Sequence, residues 1–322
     1  MIRSLLIGLF LATTFSTCVA DDAKQIRVGI IGLDTSHVIA FTKVLNDPDA
    51  PPELANCRVV AAYPKGSPDI ESSVSRVPKY TKEIQEHGVA IVDSIGELLT
   101  KVDAVLLETN DGRPHLEQVR LVLKAGKPVF IDKPLAGSLE DAITILREAQ
   151  QAGVPAFSSS SLRFAADTQA ARAGAFGKIK HCETGSPASI EKTHPDLYWY
   201  GIHGVESLFT VMGTGCRSVK RTSEDGKIVV TGRWDDDRIG IYREGTYEGH
   251  AKGDQGEGEV GSSDGYRPLL VEIVKFFRSG HPPVSAEETL EIYAFMEAAD
   301  ESKRQGGAAV TLASVMAAAG VK

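Results

Sequence analysis

The feature that most constrains the fold is an alternation of short apolar runs and amphipathic segments across the first half of the chain. Helix signals separate the runs, among them Ser94 with Glu97 as a capping box, and Pro114 at a helix start that Gly126 ends. Such an alternation predicts an α/β domain with a doubly wound, Rossmann-like parallel sheet. The five runs with the character of buried parallel strands are 26–31, 58–62, 89–92, 102–107 and 129–131.

The character of the sequence changes in the second half. Segments 227–234 and 239–242 are typical of antiparallel strands, and 268–278 and 286–304 have the periodicity of amphipathic helices. Between them, residues 248–265 are rich in glycine and poor in hydrophobic side chains, which predicts a mobile loop. The second half is therefore expected to form a domain of a different kind.

Charge and cysteine content argue against several classes of protein. The 322 residues include 35 basic and 43 acidic side chains, and the formal net charge of −8 would be repelled by nucleic acid or an anionic membrane. No apolar run approaches the roughly 18 residues that a membrane span needs. Beyond the N-terminal segment, Cys57, Cys182 and Cys216 are far apart and lack zinc-site spacing, so we predict buried thiols.

The N-terminal segment has the composition of a secretory signal peptide. Arg3 supplies the positive start, residues 5–12 the apolar core, and the CVA motif at 18–20 the small residues that precede cleavage. We therefore predict export by the Sec route, with a secreted or periplasmic mature chain that begins at Asp21. A lipoprotein acylated on Cys18 is the second alternative.

Three sequence motifs resemble those of the Gfo/Idh/MocA oxidoreductases. They are VGIIG at 28–32, AGKPVFIDKPLA at 125–136 and GIHGVE at 201–206, and further matches continue in order over nearly the whole mature chain. The resemblance implies NAD or NADP on the first domain, and a large open sheet in the second domain that presents a sugar, a cyclitol or a related polyol. The implied partners are this small-molecule carbohydrate and, as an open alternative, further copies of the chain in a homo-oligomer.

Pattern and resemblance together divide the chain into three parts. They predict an α/β protein in which a Rossmann-like, doubly wound parallel sheet precedes an α+β domain with a large open, mainly antiparallel sheet. The predicted boundaries are 1–20 for the signal peptide, 21–154 for the nucleotide-binding domain and 155–322 for the substrate domain.

The resemblance also implies catalytic residues. Lys133 falls on the family's active-site lysine, His203 on its catalytic histidine and Glu206 on the acidic position that follows. Hydride removal from a carbinol requires a base that takes the hydroxyl proton, and a neighbouring ammonium lowers the pKa of that base. His203 is the expected base and Lys133 the polarising cation. A histidine packed in the core is the alternative for His203.

The dinucleotide-binding turn departs from the family's pattern. A fingerprint of three glycines is expected after the first strand, and its positions hold Gly32, Asp34 and His37. A carboxylate at the second position repels a diphosphate, and no acid follows the second strand to bind a ribose. Binding of free NAD or NADP is therefore expected to be weak. The candidate cofactor-binding residues are Gly32, Asp34, Thr35, Ser36, His37, Glu108 and Lys133.

Polar residues also gather where the strands of the predicted sheet end. Asp34, His37, Glu108, Asp132 and His115 follow neighbouring strands, and such a set can hold a divalent metal or act as paired acid and base. In the alternative interpretation Asp34 only caps a helix and His37 only packs on the sheet. The rival function is a lyase or hydrolase that acts on carbohydrate without an exchangeable nucleotide. A sugar-binding protein without activity is the third.

The leader motif generates the first testable prediction. We expect the mature protein to be isolated from the periplasm with Asp21 as its first residue, because cleavage follows small residues at the −3 and −1 positions. N-terminal sequencing of the exported protein measures this directly. A lipid-modified Cys18, or a retained Met1, would contradict it.

Overall fold

The computed structural model describes residues 25–320, so the predicted signal peptide and the start at Asp21 lie outside the described residues. A six-stranded parallel sheet occupies the first part of the described chain. The order of its strands is β3-β2-β1-β4-β5-β6. Their bounds are β1 Ile26–Ile31, β2 Cys57–Tyr63, β3 Ala90–Ile91, β4 Ala104–Leu107, β5 Val129–Ile131 and β6 Ala156–Ser158.

The strand order reverses beside β1, which pairs in parallel with both β2 and β4. The residues of β4 and β5 are buried on both faces, which explains why these strands are continuous apolar runs. Ligands of open parallel sheets bind outside the carboxyl ends of the strands where the order reverses. The five predicted strands and the doubly wound sheet are confirmed, and β6 extends this sheet past residue 154.

Five helices connect the strands of the first sheet. One of them begins as the sequence predicts, because the Ser94 hydroxyl accepts from the backbone N–H of Glu97. The Ser138 hydroxyl accepts from the backbone N–H of Asp141 in the same way. The second helix was not predicted, since Pro78 lies inside it and interrupts its helical pattern. The bounds are α1 His37–Leu45, α2 Glu71–Glu86, α3 Ile95–Lys101, α4 His115–Lys124 and α5 Leu139–Ala152.

A seven-stranded sheet dominates the second part of the described chain, in the order β12-β11-β7-β10-β9-β8-β13. Only the pairing of β10 with β7 is parallel, so the predicted mainly antiparallel sheet is confirmed. The bounds are β7 Ile179–Ser186, β8 Cys216–Glu224, β9 Lys227–Trp234, β10 Ile239–Glu244, β11 Gly249–Gly253, β12 Glu257–Glu259 and β13 Val310–Thr311.

The prediction of a mobile loop over 248–265 is wrong. Residues 249–259 form the antiparallel pair β11 and β12, which extends the second sheet from β7. Glycine is required here for close packing, since a Cβ at Gly258 would lie 2.7 Å from the Phe176 ring. The glycines that suggested flexibility therefore allow this edge of the sheet to pack closely on its neighbours.

The helices of the second part lie on both sheets. The α7 and α9 helices pack against the second sheet, whereas α8 joins the hydrophobic core of the first sheet. Phe276 of α8 lies edge-on to Phe157 of β6, with ring centroids 4.8 Å apart. The bounds are α6 Ala166–Arg172, α7 Ile202–Met212, α8 Arg267–Ser279, α9 Ala286–Arg304 and α10 Leu312–Ala318.

Two sequence predictions about the described residues can be compared directly with this fold. No helix within residues 25–320 is long and apolar enough to cross a membrane. Cys57, Cys182 and Cys216 are buried free thiols, as predicted. Burial raises the pKa of the Cys57 thiol to about 12, so this sulfur stays protonated and unreactive near neutral pH.

Candidate active site

A cavity of about 410 Å³ lies between the two parts of the fold, at the carboxyl edge of the first sheet. The first part supplies the turn after β1, residues of α2, the loop after β4 and Lys133 after β5. The second part supplies His203 at the start of α7 and several aromatic side chains. The lining residues are Thr35, Ser36, His37, Ser72, Arg76, Asn110, Lys133, Ser161, Leu162, Trp199, Tyr200, His203, Tyr247, Ser263, Gly265 and Tyr266.

His203 faces this cavity and is held by one hydrogen bond. Its Nδ1 lies 2.7 Å from the Ser160 hydroxyl, whose oxygen also accepts from the backbone N–H of Leu162. In the tautomer in which Nδ1 donates to Ser160, Nε2 carries the free lone pair. Burial, followed by the charge of Lys133, holds the pKa of His203 well below its ordinary value. The imidazole is therefore neutral, and available as a base, at neutral pH.

Lys133 is the second predicted catalytic residue that the structure brings to the cavity. It follows β5, only 6% of its surface is exposed, and its Nζ lies 5.5 Å from the centre of the Tyr200 ring. Burial lowers the pKa of Lys133, while the charges of Asp132 and Glu108 oppose that shift. The Lys133 ammonium can therefore supply a positive charge to the cavity from the side opposite His203.

The structure does not bring Glu206 to the cavity with the other two. Its carboxylate accepts from Arg163 Nε at 2.8 Å, and the same guanidinium donates to Glu288 of α9 at 2.6 Å. Arg163 and both acids are almost fully buried, so this is an internal ion network that joins α7 to α9. Glu206 therefore fixes the helix that carries His203.

The turn after β1 carries most of the predicted cofactor-binding residues. Gly32 has a φ of +89°, and a Cβ there would lie 2.5 Å from the backbone nitrogen of Thr109. Thr35 and Ser36 line the cavity at the beginning of α1. Glycine is therefore required at position 32 by the protein's own packing, and the hydroxyls after it face the site.

The Asp34 carboxylate is fully buried and joins three segments. One oxygen accepts from the backbone N–H of Asn110 at 2.9 Å, and the other accepts from the Ser73 hydroxyl at 2.7 Å. The N-cap of α1 is Ser36, so the alternative that Asp34 caps this helix is wrong. Burial raises the pKa of Asp34, against the effect of these two donors.

A second cavity, of about 630 Å³, lies on the far side of Asp34. It is lined by residues at the ends of β2 and β4 and along α4, among them Lys65, Ser67 and Thr109. Thr109 lines this second cavity while its neighbour Asn110 lines the first. The contacts of Asp34 with Ser73 and Asn110 thus form a wall between the two cavities, which we call the Asp34 bridge.

His37, Glu108 and Asp132 form a buried cluster beside Lys133. His37 Nδ1 lies 2.7 Å from Asp132 Oδ2, and candidate ligand atoms of all three residues lie within 4.8 Å of one another. Neither oxygen of Glu108 has a hydrogen-bond partner within the described part of the chain, nor does Asp132 Oδ1. The charge of the Lys133 ammonium acts on both Asp132 and Glu108, which disfavours a second cation between them. The contact between His37 and Asp132 suits proton transfer.

His115 is not available to this cluster. Its two ring nitrogens lie 2.7 Å and 3.1 Å from the backbone carbonyl oxygens of Thr109 and Leu135. These contacts fix the loop after β4 to the start of α4. His115 is therefore a structural residue, and the alternative that it serves as a metal ligand has no free ring nitrogen to support it.

Several residues that line the cavity were not predicted from the sequence. Arg76 was missed because α2 was not predicted, and its guanidinium donates to the Asp34 carbonyl at 3.3 Å. Tyr247 and Tyr266 flank the segment that was predicted to be mobile. The aromatic side chains of Tyr200 and Tyr247 approach the His203 ring, with centroids 5.9 Å and 6.0 Å away.

Comparison with known proteins finds a family match for the first part of the chain. Residues 26–159 match the family described as "Oxidoreductase family, NAD-binding Rossmann fold" (Gfo/Idh/MocA). A 1,5-anhydro-D-fructose reductase from Ensifer adhaerens is 41% identical over 90 residues, which is 27% of this chain and 27% of that protein. Residues 26–159 therefore match the Gfo/Idh/MocA oxidoreductase family, as the resemblance of the motifs in this part of the chain implies.

Solved structures show that the similarity of fold extends beyond this domain. A probable dehydrogenase from Thermotoga maritima has a TM-score of 0.72 at 21% identity, covering 90% of this chain and 100% of that one. Scyllo-inositol dehydrogenase from Lactobacillus casei, solved with NAD(H) and scyllo-inositol, has a TM-score of 0.71 at 16% identity, with 90% and 100% covered. The two-part architecture is thus that of known dehydrogenases.

The isolated carboxyl of Glu108 generates a prediction about stability. Burial raises the pKa of Glu108 well above its ordinary value, and the neighbouring charge of Asp132 adds to the shift. A raised pKa in the folded state contributes stability that is complete below the unfolded pKa of about 4.3 and is lost as the pH rises through the folded pKa. Because glutamine does not ionise, Glu108→Gln should not lose this stability as the pH rises. The variant should gain free energy of unfolding, relative to the wild type, as the pH is raised.

Urea unfolding of both proteins across a series of pH values measures this difference. Glu86→Gln, which changes an exposed carboxylate on α2, is the matched control and should follow the wild type. A constant difference between Glu108→Gln and the wild type at all pH values would show that Glu108 is ionised in the folded protein.

Proposed function

We propose that this protein is an exported oxidoreductase that acts on a hydroxyl group of a sugar or polyol in the cavity between its two parts. The observation that carries the proposal is the placement of His203 and Lys133. They come from opposite sides of one cavity, and each has a pKa lowered by burial. A base and a cation that meet at one substrate oxygen suit the oxidation of a carbinol.

In the proposed reaction His203 accepts the proton of the substrate hydroxyl. Its lowered pKa keeps the ring neutral at physiological pH, so the lone pair of Nε2 is available. The Lys133 ammonium stabilises the negative charge that develops on the oxygen as the proton leaves. The surrounding tyrosines reduce access of water to the reacting oxygen, which strengthens that electrostatic interaction.

The two cavities could hold the two ends of the dinucleotide that the family binds. The Asp34 bridge lies where the diphosphate between those ends would have to pass. The second cavity, with Lys65 and Thr109, has the place and size for a nucleoside, and the first cavity holds Lys133 and the start of α1. When bound, a nicotinamide ring would supply the hydride acceptor. The Asp34 bridge lies between the two ends, and its carboxylate already occupies donors that a diphosphate would use.

A second candidate function is redox-neutral acid–base chemistry on a carbohydrate. The observation that favours it is the hydrogen bond between His37 Nδ1 and Asp132, because a carboxylate in that position orients an imidazole for proton transfer. His37 also lines the cavity that holds His203. Two histidines at one substrate could remove a proton and return it without any nucleotide.

Replacement of the two candidate catalytic residues tests the site itself. His203→Gln and Lys133→Met should each reduce turnover by at least about 100-fold, because they remove the base or the cation. Lys133→Arg, which keeps the charge, should retain part of the activity. Suitable first substrates are myo-inositol or scyllo-inositol with added NAD or NADP, and 1,5-anhydro-D-fructose with added NADH or NADPH, each monitored by absorbance of the reduced nucleotide.

Thermal unfolding of the same variants separates catalysis from packing. The melting temperature should change little, while His281→Gln, an exposed histidine after α8, should change neither activity nor stability. The activity of the wild type should fall at acid pH only below the ordinary histidine range, since the pKa of His203 is lowered. Retained activity together with a large loss of stability would show that both residues serve packing.

The Asp34 bridge generates a prediction about the cofactor. Free NAD and NADP should bind the wild type weakly, with a Kd near or above about 1 mM. The double variant Asp34→Gly, His37→Gly should bind at least about tenfold more tightly, because it removes both the carboxylate and the bulk of the imidazole. Isothermal titration calorimetry on the wild type and the variant measures both values.

The single variant Asp34→Asn provides the matched control for charge. Its Oδ1 can still accept from the Asn110 N–H and its Nδ2 can donate to the Ser73 hydroxyl oxygen, so the wall remains while the negative charge is lost. A gain only in the glycine variant would mean that the wall itself excludes the diphosphate. Tight binding by the wild type that the glycine variant leaves unchanged would refute the proposed barrier. Activity that needs no nucleotide would support the second candidate function.

A further inference from the structure

The side chains that line the cavity between the two parts differ in charge from the protein as a whole. The chain has a formal net charge of −8, yet the lining contains Arg76 and Lys133 and no aspartate or glutamate among residues 25–320. The other ionisable groups there are two histidines and three tyrosines. The substrate cavity is therefore a positive region within an acidic protein.

Arg76 is the cation whose charge the protein leaves uncompensated. Within the described chain its guanidinium donates to the Asp34 backbone carbonyl at 3.3 Å, and it has no ion pair. The carboxylate of Asp34 accepts from Asn110 and Ser73 and makes no ion pair with Arg76. Arginine recognises carboxylates through paired N–H donors, and these donors remain available to a ligand at this position.

Arg76 and Lys133 also repel each other across the cavity. The charge of Arg76 adds to the effect of burial in lowering the pKa of Lys133. Asp132 and Glu108 lie behind Lys133 and oppose that shift, but neither lines the cavity. Two cations that share one cavity are stabilised by an anion that binds between them.

The beginning of α1 lies at the same end of the cavity. Thr35 and Ser36 line it, and the Ser36 side chain makes no capping hydrogen bond to the helix. The His37 N–H donates to Thr35 Oγ1 at 3.4 Å, and the other N–H groups of the first turn favour negative charge. This helix terminus adds neutral N–H donors to the two cations. The Nζ atom of Lys133, the buried cation of the pair, makes no hydrogen bond within the described residues.

We propose that this end of the cavity binds a carboxylate group of the substrate, so that the protein acts on acidic sugars such as uronates or aldonates rather than on neutral ones. The inference rests on the proposed function, because it assigns the substrate class of that same cavity. A diphosphate of a dinucleotide has related chemistry and is the other source of an anion. The Asp34 bridge separates this cavity from the one that would hold the nucleoside, which favours the sugar acid.

Calorimetric titration of the full mature protein with matched pairs of ligands tests the proposal. The pairs are D-glucuronate with D-glucose, D-galacturonate with D-galactose, and D-gluconate with D-glucitol. At least one acid should bind at least about tenfold more tightly than its neutral partner, as expected for charge-assisted hydrogen bonds. The preference should decrease as sodium chloride is added.

Variants of Arg76 test whether this residue causes the preference for acidic over neutral sugars. Arg76→Gln should abolish the preference for the acid over its neutral partner, whereas Arg76→Lys should retain part of it. Lys82→Gln removes an exposed cation from the same helix and should behave as the wild type. Thermal unfolding of each variant verifies that the fold is retained.

Three outcomes would overturn the proposal. Equal affinity for acid and neutral partner would refute it and leave the proposed sugar site intact. Binding of ADP-ribose that Arg76→Gln weakens, without binding of any sugar acid, would assign the anion site to a dinucleotide. Absence of binding by all six sugars would refute the substrate class and the proposed function together.

Discussion

One buried carboxylate determines how the edge of the Rossmann sheet is arranged. Asp34 accepts from Asn110 after β4 and from Ser73 in α2, so the turn after β1 is joined to both. A buried carboxylate without such donors would be strongly destabilising, so the loop and the helix must lie where their donors reach it. The separation of the two cavities and the position of Arg76 beside the Asp34 carbonyl both follow from this interaction.

The second constraint is the burial of charge on both sides of the site. Lys133 is surrounded by Asp132 and Glu108 in the first part, and His203 is held by Ser160 in the second. The helix of His203 is fixed in turn by the ion network of Arg163, which ties it to α9. The positions of His203 and Lys133 at the cavity are thus set by interactions inside each part.

The sequence predicted the fold better than it predicted the site. Continuous apolar strands and capped helices indicated the parallel sheet, since burial on both faces leaves a clear pattern. Lys133 and His203 were found because local motifs carry them. Arg76 was missed because Pro78 hides its helix, and the roles of Asp34 and Glu206 depend on partners 39 or more residues away. A contact between residues so distant in sequence produces no local sequence pattern from which it could be predicted. The sequence of a glycine-rich segment such as 249–259 does not show whether the segment forms strands or a loop.

The packing of α8 on the first sheet determines the order in which the chain can fold. The sheet is built from residues 26–158, yet one of its faces is completed by Arg267–Ser279, more than a hundred residues later in the chain. The first sheet therefore cannot bury its full core until α8 has been synthesised. Its last packing step joins segments far apart in the sequence, and contacts of that kind form slowly.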